Sequence, residues 1–301
     1  MNISIKEKLS GVFPPIMTPF VNQEVAYNEL AENIKKYNQT KLRGYMPLGS
    51  NGEFRSLTEE ESLKIVKVVY ENKAKDKVLM VGTQRESSKA TIEFTKKVAD
   101  LGADFASVLS PHYFSNKMND DSLIRFYTEI ADNSPIPVLI YNAPGFAGGV
   151  IVSVKAVSIL SQHPNIAGMK EGTKEDMSIY VNSVPDNTEF YILAGTITKF
   201  YTGLLKGGVG GVLSMANYLP DMCCELYGLY LSHDLENGQK MHDKLCALNE
   251  VTGGKYGIAG VKGAMDLLGY YGGDPRIPLL PLTEMEKIEL AKNIKNEGLM
   301  S

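Results

Sequence analysis

Short apolar runs rich in β-branched residues return roughly every 30 positions, at residues 12–18, 44–48, 78–81, 105–109, 137–141, 166–170, 190–193 and 211–214. Runs this short, bounded by Gly, Pro and Asn, predict buried strands, because a helix needs ten or more residues. Each is followed by a stretch with helical periodicity. After the second run, Leu63, Val66, Lys67 and Tyr70 share one helical face. Thr58 with Glu61 has the spacing of a capping box at the start of that helix. Thr173 with Asp176 predicts a similar start after the sixth run, with acidic groups at the positive end of the dipole. Eight strands alternating with helices predict an α/β fold, the TIM (β/α)8 barrel. The alternation stops after the eighth run. From about Pro220 only helical patterns remain, broken at Gly253-Gly254 and at Gly272-Gly273-Asp274-Pro275. The expected organisation is a barrel over 1–219 and a helical extension over 220–301. No linker-like composition divides them, so they form one architectural unit.

Composition narrows the class of function. Of 301 residues, 44% are hydrophobic and 22% charged, an ordinary globular balance. The net charge of −4 and the lack of a Lys/Arg block argue against a nucleic-acid surface. Neither a signal-peptide pattern nor a membrane span is seen, and a cytoplasmic enzyme is expected. Cys223, Cys224 and Cys246 have no metal-ligand spacing and read as reduced thiols packed in helices.

In a barrel of this type, chemistry sits at the C-terminal ends of the strands. The second strand runs into Gly49-Ser50-Asn51-Gly52-Glu53 and the fourth into Ser110-Pro111-His112-Tyr113. The fifth runs into Tyr141-Asn142-Ala143-Pro144-Gly145, the sixth into Lys170-Glu171-Gly172, and the seventh into Gly195-Thr196. Lys170 closes an otherwise apolar strand, and a lysine is almost never fully buried without a partner or a function. A buried amine can attack a ketone and form an iminium. The alternative is an ion pair with Glu171 or Glu53. Tyr141 closes the adjacent strand, where a hydroxyl can move protons; otherwise it is a core aromatic. Ser50 and Asn51 lie in a glycine-flanked turn that suits either carboxylate binding or turn chemistry alone. His112 lies near the active face without an assignable carboxylate, and His163 precedes a strand and reads as structural. The run Gly207-Gly208-Val209-Gly210-Gly211 enters a strand, so it reads as close backbone packing and not as a dinucleotide loop.

At these residues the chain resembles the dihydrodipicolinate synthase and N-acetylneuraminate lyase family of class I Schiff-base aldolases. The likeness covers essentially the whole chain. It rests on Gly49-Ser50-Asn51-Gly52-Glu53, Tyr141-Asn142-Ala143-Pro144 and Gly168-Met169-Lys170-Glu171. It implies that Lys170 forms the Schiff base with pyruvate or another 2-oxo acid and that Tyr141 transfers protons. It implies that Ser50 supplies the hydroxyl of the relay and, with Asn51, binds the substrate carboxylate. It also implies that Tyr113 completes the relay of a neighbouring subunit, and that Gly195 and Val212 line the 2-oxo acid pocket. The expected assembly is a homotetramer, a dimer of dimers, with neither metal nor organic cofactor.

Two departures bear on the substrate. Phe146 stands where the synthases carry an arginine, and phenylalanine offers no bidentate partner to a carboxylate. Losing such a contact costs roughly 2 kcal/mol or more, which argues against aspartate semialdehyde as acceptor. His112 stands where lysine-regulated synthases have a tyrosine, so lysine feedback is not expected. Leu160–Ile166, Gly49–Phe54 and Gly269-Tyr270-Tyr271-Gly272-Gly273 are similar to 4-hydroxy-2-oxoglutarate aldolases of the family, which also lack the arginine. Cleavage of 4-hydroxy-2-oxoglutarate or a related 2-oxo-3-deoxy acid is therefore the leading expectation, ahead of sialic acid cleavage. Dihydrodipicolinate synthesis is the alternative, a dehydratase using the same Schiff base stays open, and a non-catalytic 2-oxo acid binder is the reading from another class.

Overall fold

A computed structural model describes residues 3–300. All eight expected strands are present: β1 Gly11–Phe13, β2 Gly44–Tyr45, β3 Val78–Gly82, β4 Phe105–Leu109, β5 Val138–Asn142, β6 Ile166–Glu171, β7 Tyr191–Ala194 and β8 Gly210–Val212. Their order in one sheet is β1-β8-β7-β6-β5-β4-β3-β2. The two strands at the ends of that order are themselves joined, by Arg43 N to Val12 O (2.9 Å), Met46 N to Pro14 O (3.0 Å) and Ile16 N to Met46 O (2.9 Å). The fold is the (β/α)8 barrel. β1 and β2 are shorter than their apolar runs because Pro14, Pro15 and Pro47 have no N–H to give a ladder.

The chain packs as two compact units. One comprises the residues up to Gly11 together with 78–212; the other comprises 12–77 and 213–301. In the first unit, β3 through β8 pair in parallel. β3, β4, β5 and β6 are buried at every position, as strands covered on both faces must be. The glycine-rich approach to β8 is close packing, as the sequence predicts. A Cβ on Gly210 would stand 2.3 Å from Gly11 O, where no side chain fits.

The second unit joins the first and last thirds of the chain. Asn217 is its knot: Nδ2 donates to Pro15 O (3.1 Å), Oδ1 accepts from Met17 N (3.3 Å), and its carbonyl accepts from Tyr37 Oη (2.7 Å). After β8 only helices follow among the described residues, at Pro220–Leu231, Leu235–Glu250, Gly253–Leu267 and Glu284–Asn296. The break expected at Gly253-Gly254 falls at Val251-Thr252, so that the next helix starts at Gly253, and a kink follows at Gly257 (φ 58°).

Three local expectations change. Thr58 and Glu61 do form the capping box, but the buried face of helix Glu59–Asn72 is Ser62, Ile65, Val66 and Val69. Tyr70 is turned out, under the Lys73 ammonium. Thr173 caps no helix: its N–H and hydroxyl donate to Glu171 and its hydroxyl oxygen accepts from Glu175 N (3.1 Å) in a local turn, and the next helix begins at Ser178. A two-residue hairpin, Phe20–Val21 with Glu24–Val25, escapes the pattern reading because it is too short to alternate. Its turn, Asn22-Gln23, holds φ of 51° and 70°, the primed-turn geometry of tight hairpins.

Candidate active site

β5 and β6 are in register, with Tyr141 beside Lys170 and Asn142 beside Glu171. Side chains alternate along a strand, so each in-register pair points to one side of the sheet. Tyr141 and Lys170 are both buried, at 5% and 4% exposure. The Lys170 Nζ stands 4.0 Å from the centre of the Tyr141 ring. The carboxylates that might have claimed Lys170 are engaged elsewhere. Glu171 Oε2 accepts from Lys199 Nζ at 2.7 Å, and Glu53 Oε1 lies 2.7 Å from Lys262 Nζ. The amine of Lys170 thus lies over the Tyr141 ring.

The opposite side of the same strand ends is a buried polar layer that anchors them. Asn142 Nδ2 donates to Val152 O (3.0 Å) and Tyr180 Oη (3.2 Å), and its Oδ1 accepts from Val152 N (3.0 Å). Burial raises the Tyr180 phenol above its ordinary value, so it stays a neutral partner. Glu171 O accepts from Gly195 N at 2.6 Å. A Cβ on Gly195 would stand 2.5 Å from that same oxygen, so only glycine keeps the contact. Val212, at the end of β8, is wholly buried.

Tyr113 is 79% exposed and packs edge-on against Phe114, with ring centres 5.0 Å apart. Its loop is fixed by a residue that sequence reading passes over. Glu86 Oε2 accepts from the backbone N–H of both His112 and Tyr113 at 3.1 Å, and Glu86 Oε1 lies 3.2 Å from His112 Nδ1. Glu86 lies in the loop that follows β3. Phe146, in the short helix Pro144–Phe146, is 52% exposed and presents no charge.

Ser50 and Asn51 lie in the second unit, half-buried in a turn closed by Gly52 N to Gly49 O (3.0 Å) and Glu53 N to Ser50 O (3.1 Å). Asn51 Nδ2 donates to Ser214 Oγ at 2.6 Å, a partner that no sequence pattern indicated. Leu48 and Glu53 flank the turn with left-handed φ of 61° and 54°. Cys223 and Cys224 are buried; burial pushes Cys224 up to about 12 and Cys223 well above a thiol's usual range, so both are unreactive. His163 bonds Asp132 at 3.0 Å, the structural role expected for it. No helix among the described residues is long and apolar enough to cross a membrane.

The Dihydrodipicolinate synthetase family profile matches residues 8–297. The chain is 30% identical over 290 residues to the 4-hydroxy-tetrahydrodipicolinate synthase of Thermodesulfovibrio yellowstonii, covering 96% of this chain and 99% of that one. It is 31% identical over 293 residues to the enzyme of the same name from Methanoculleus marisnigri, with the same coverage. Among solved structures, dihydrodipicolinate synthase from Thermotoga maritima superposes with a TM-score of 0.92 at 26% identity, covering 97% of this chain and 100% of that one. A structure described as the first monomeric dihydrodipicolinate synthase variant gives a TM-score of 0.92 at 26% identity, with 99% and 100% covered. The chain belongs to the dihydrodipicolinate synthetase family. It is a pyruvate-dependent aldolase of the Schiff-base class, a carbon–carbon lyase. These relatives are named as synthases, so the synthase alternative fits the comparisons better than the 4-hydroxy-2-oxoglutarate cleavage expected from the sequence.

Proposed function

We propose that this chain joins pyruvate, held as an imine on Lys170, to an aldehyde in the manner of the 4-hydroxy-tetrahydrodipicolinate synthases. The observation that carries the reading is the buried Lys170 amine 4.0 Å from the Tyr141 ring, with the adjacent Glu171 carboxylate committed to Lys199. Nζ attacks the 2-oxo carbon, water leaves to give an iminium, and a base, read as Tyr141, takes a C3 proton whose bonding pair moves into the iminium to give the enamine. The enamine carbon bonds to the aldehyde, and water then releases the product and the lysine. Tyr141 carries the protons in and out, with the Ser50 hydroxyl and Tyr113 of a second copy as its relay. The exposure of Tyr113 is what a residue offered to another subunit needs. The family resemblance gives Ser50 and Asn51 the pyruvate carboxylate, and Gly195 and Val212 the lining of the 2-oxo acid pocket. The assembly is read as a homotetramer.

A second reading has its own support. Phe146 leaves the acceptor side without an arginine, which favours cleavage of 4-hydroxy-2-oxoglutarate or a related 2-oxo-3-deoxy acid. Mass measurement after pyruvate and borohydride tests the common step. A stable adduct is expected on wild type and not on Lys170→Ala; a folded wild type without an adduct overturns it. Tyr141→Phe should lower turnover by about 10²–10⁴-fold. The acceptor is then decided by two assays, condensation with aspartate semialdehyde and cleavage of 4-hydroxy-2-oxoglutarate.

A further inference from the structure

Glu171 carries a carboxylate with no exposed surface, directly after Lys170 in β6. Wholly buried carboxylates persist only when paired and hydrogen-bonded. Three donors satisfy this one: Thr173 N at 2.6 Å, the Thr173 hydroxyl, and Lys199 Nζ at 2.7 Å. Lys199 is the sole cation among them. It stands in the first turn of helix Ile197–Leu205, four residues beyond Gly195, and its ammonium also donates to Glu175 O. The segment leaving β7 therefore grips Glu171 twice, at the carbonyl through Gly195 N and at the carboxylate through Lys199.

We propose that Lys199 is a positioning residue for Lys170: by holding the Glu171 carboxylate behind the sheet, it fixes the end of β6 and with it the direction in which the Lys170 amine is presented. This rests on the reading of Lys170 as the imine-forming lysine. Lys170 and Glu171 point to opposite sides of one strand, so a pull on one turns the other. Without Lys199, the carboxylate keeps only Thr173 and is drawn toward water, and the strand end turns with it. A misplacement of about 1 Å at a reacting group costs about 10²-fold in rate.

The test is the rate of imine formation at saturating pyruvate, read by mass after borohydride quenching at successive times. Lys199→Met should slow it about 10–100-fold while half-saturation by pyruvate changes little, because Lys199 does not touch the substrate. Lys199→Arg, which keeps a cationic donor to the carboxylate, should restore the rate to within about threefold of wild type. A folded Lys199→Met that is trapped at the wild-type rate overturns the proposal. If Lys199→Met does not fold, Glu171→Gln with Lys199→Met removes both charges together with the tether. Slow trapping in that double variant supports the proposal, and wild-type trapping overturns it. Wild type that is never trapped would instead count against Lys170 as the imine-forming lysine.

Discussion

Lys262 shows what a single buried charge demands of its surroundings. It has no exposed surface, and neither has the Glu53 carboxylate beyond 1%. Burial lowers the lysine's proton affinity, and the nearby Glu53 charge works against that shift. The ammonium also donates to Asp274 O (3.1 Å) and lies 4.5 Å from the centre of the Phe20 ring. Removing one member of such a pair strands the other in a medium that cannot solvate it. Lys262→Met is expected to cost about 3–5 kcal/mol in urea unfolding. Glu53→Gln with Lys262→Met should recover most of that loss. A single variant within about 1 kcal/mol of wild type would mean that Glu53 reaches water. The contrast with Lys170 explains what was legible. Lys170 was found because a charge ends an apolar strand, where every position is buried. Lys262 interrupts an equally apolar stretch, Ile258 to Met265, but on a helix a lysine once per turn is ordinary. Lys199 and Glu86 were missed for a related reason: their partners lie 28 and 26 residues away, beyond any local spacing rule.

At the scale of elements, the strands are legible because apolar runs and prolines are local signals, whereas the buried face of helix Glu59–Asn72 stands one position from the one its spacing predicts. Helix Glu59–Asn72 shows how its N-terminus is held. Glu61 Oε2 accepts from Thr58 N (2.8 Å) and Arg276 Nη1 (2.9 Å), while Oε1 accepts from Arg276 Nη2 (2.7 Å). The Arg276 hydrogen bonds, against some opposing desolvation, hold the Glu61 carboxyl below its ordinary range. A carboxyl whose folded value lies below its unfolded one adds stability that is complete above the unfolded value. That stability is lost as pH falls through the folded value. Arg276→Gln should therefore cost about 1 kcal/mol near neutral pH, discounted for partial solvent access. The difference from wild type should shrink once pH drops below about 4. Paired urea titrations across that range check this, and a difference independent of pH would assign the loss to the Arg276 contacts with Ser56 O and Gln23 O instead.

For the whole molecule, the question is what the last 82 residues do for the rest, taking the barrel as 1–219 and the extension as 220–301. Contacts inside the second unit argue that the barrel's early strands depend on the extension. Asn33, buried in helix Tyr27–Tyr37, exchanges two hydrogen bonds with the Tyr271 backbone: Nδ2 to O at 2.8 Å and N to Oδ1 at 2.9 Å. Glu53 takes Lys262 on one oxygen and Arg276 N (2.8 Å) on the other. Tyr37 stacks on Tyr270 with ring centres 4.9 Å apart. A chain ended at residue 219 would leave Asn33 and Glu53 buried without these partners, at a cost of several kcal/mol against a total stability of about 5–15 kcal/mol. The truncated chain is expected to show no cooperative thermal transition and no pyruvate adduct after borohydride. A truncated chain that melts cooperatively and still traps pyruvate would show that the barrel stands alone. In that case the Glu53 and Asn33 contacts serve the extension, not the turn that carries Ser50 and Asn51.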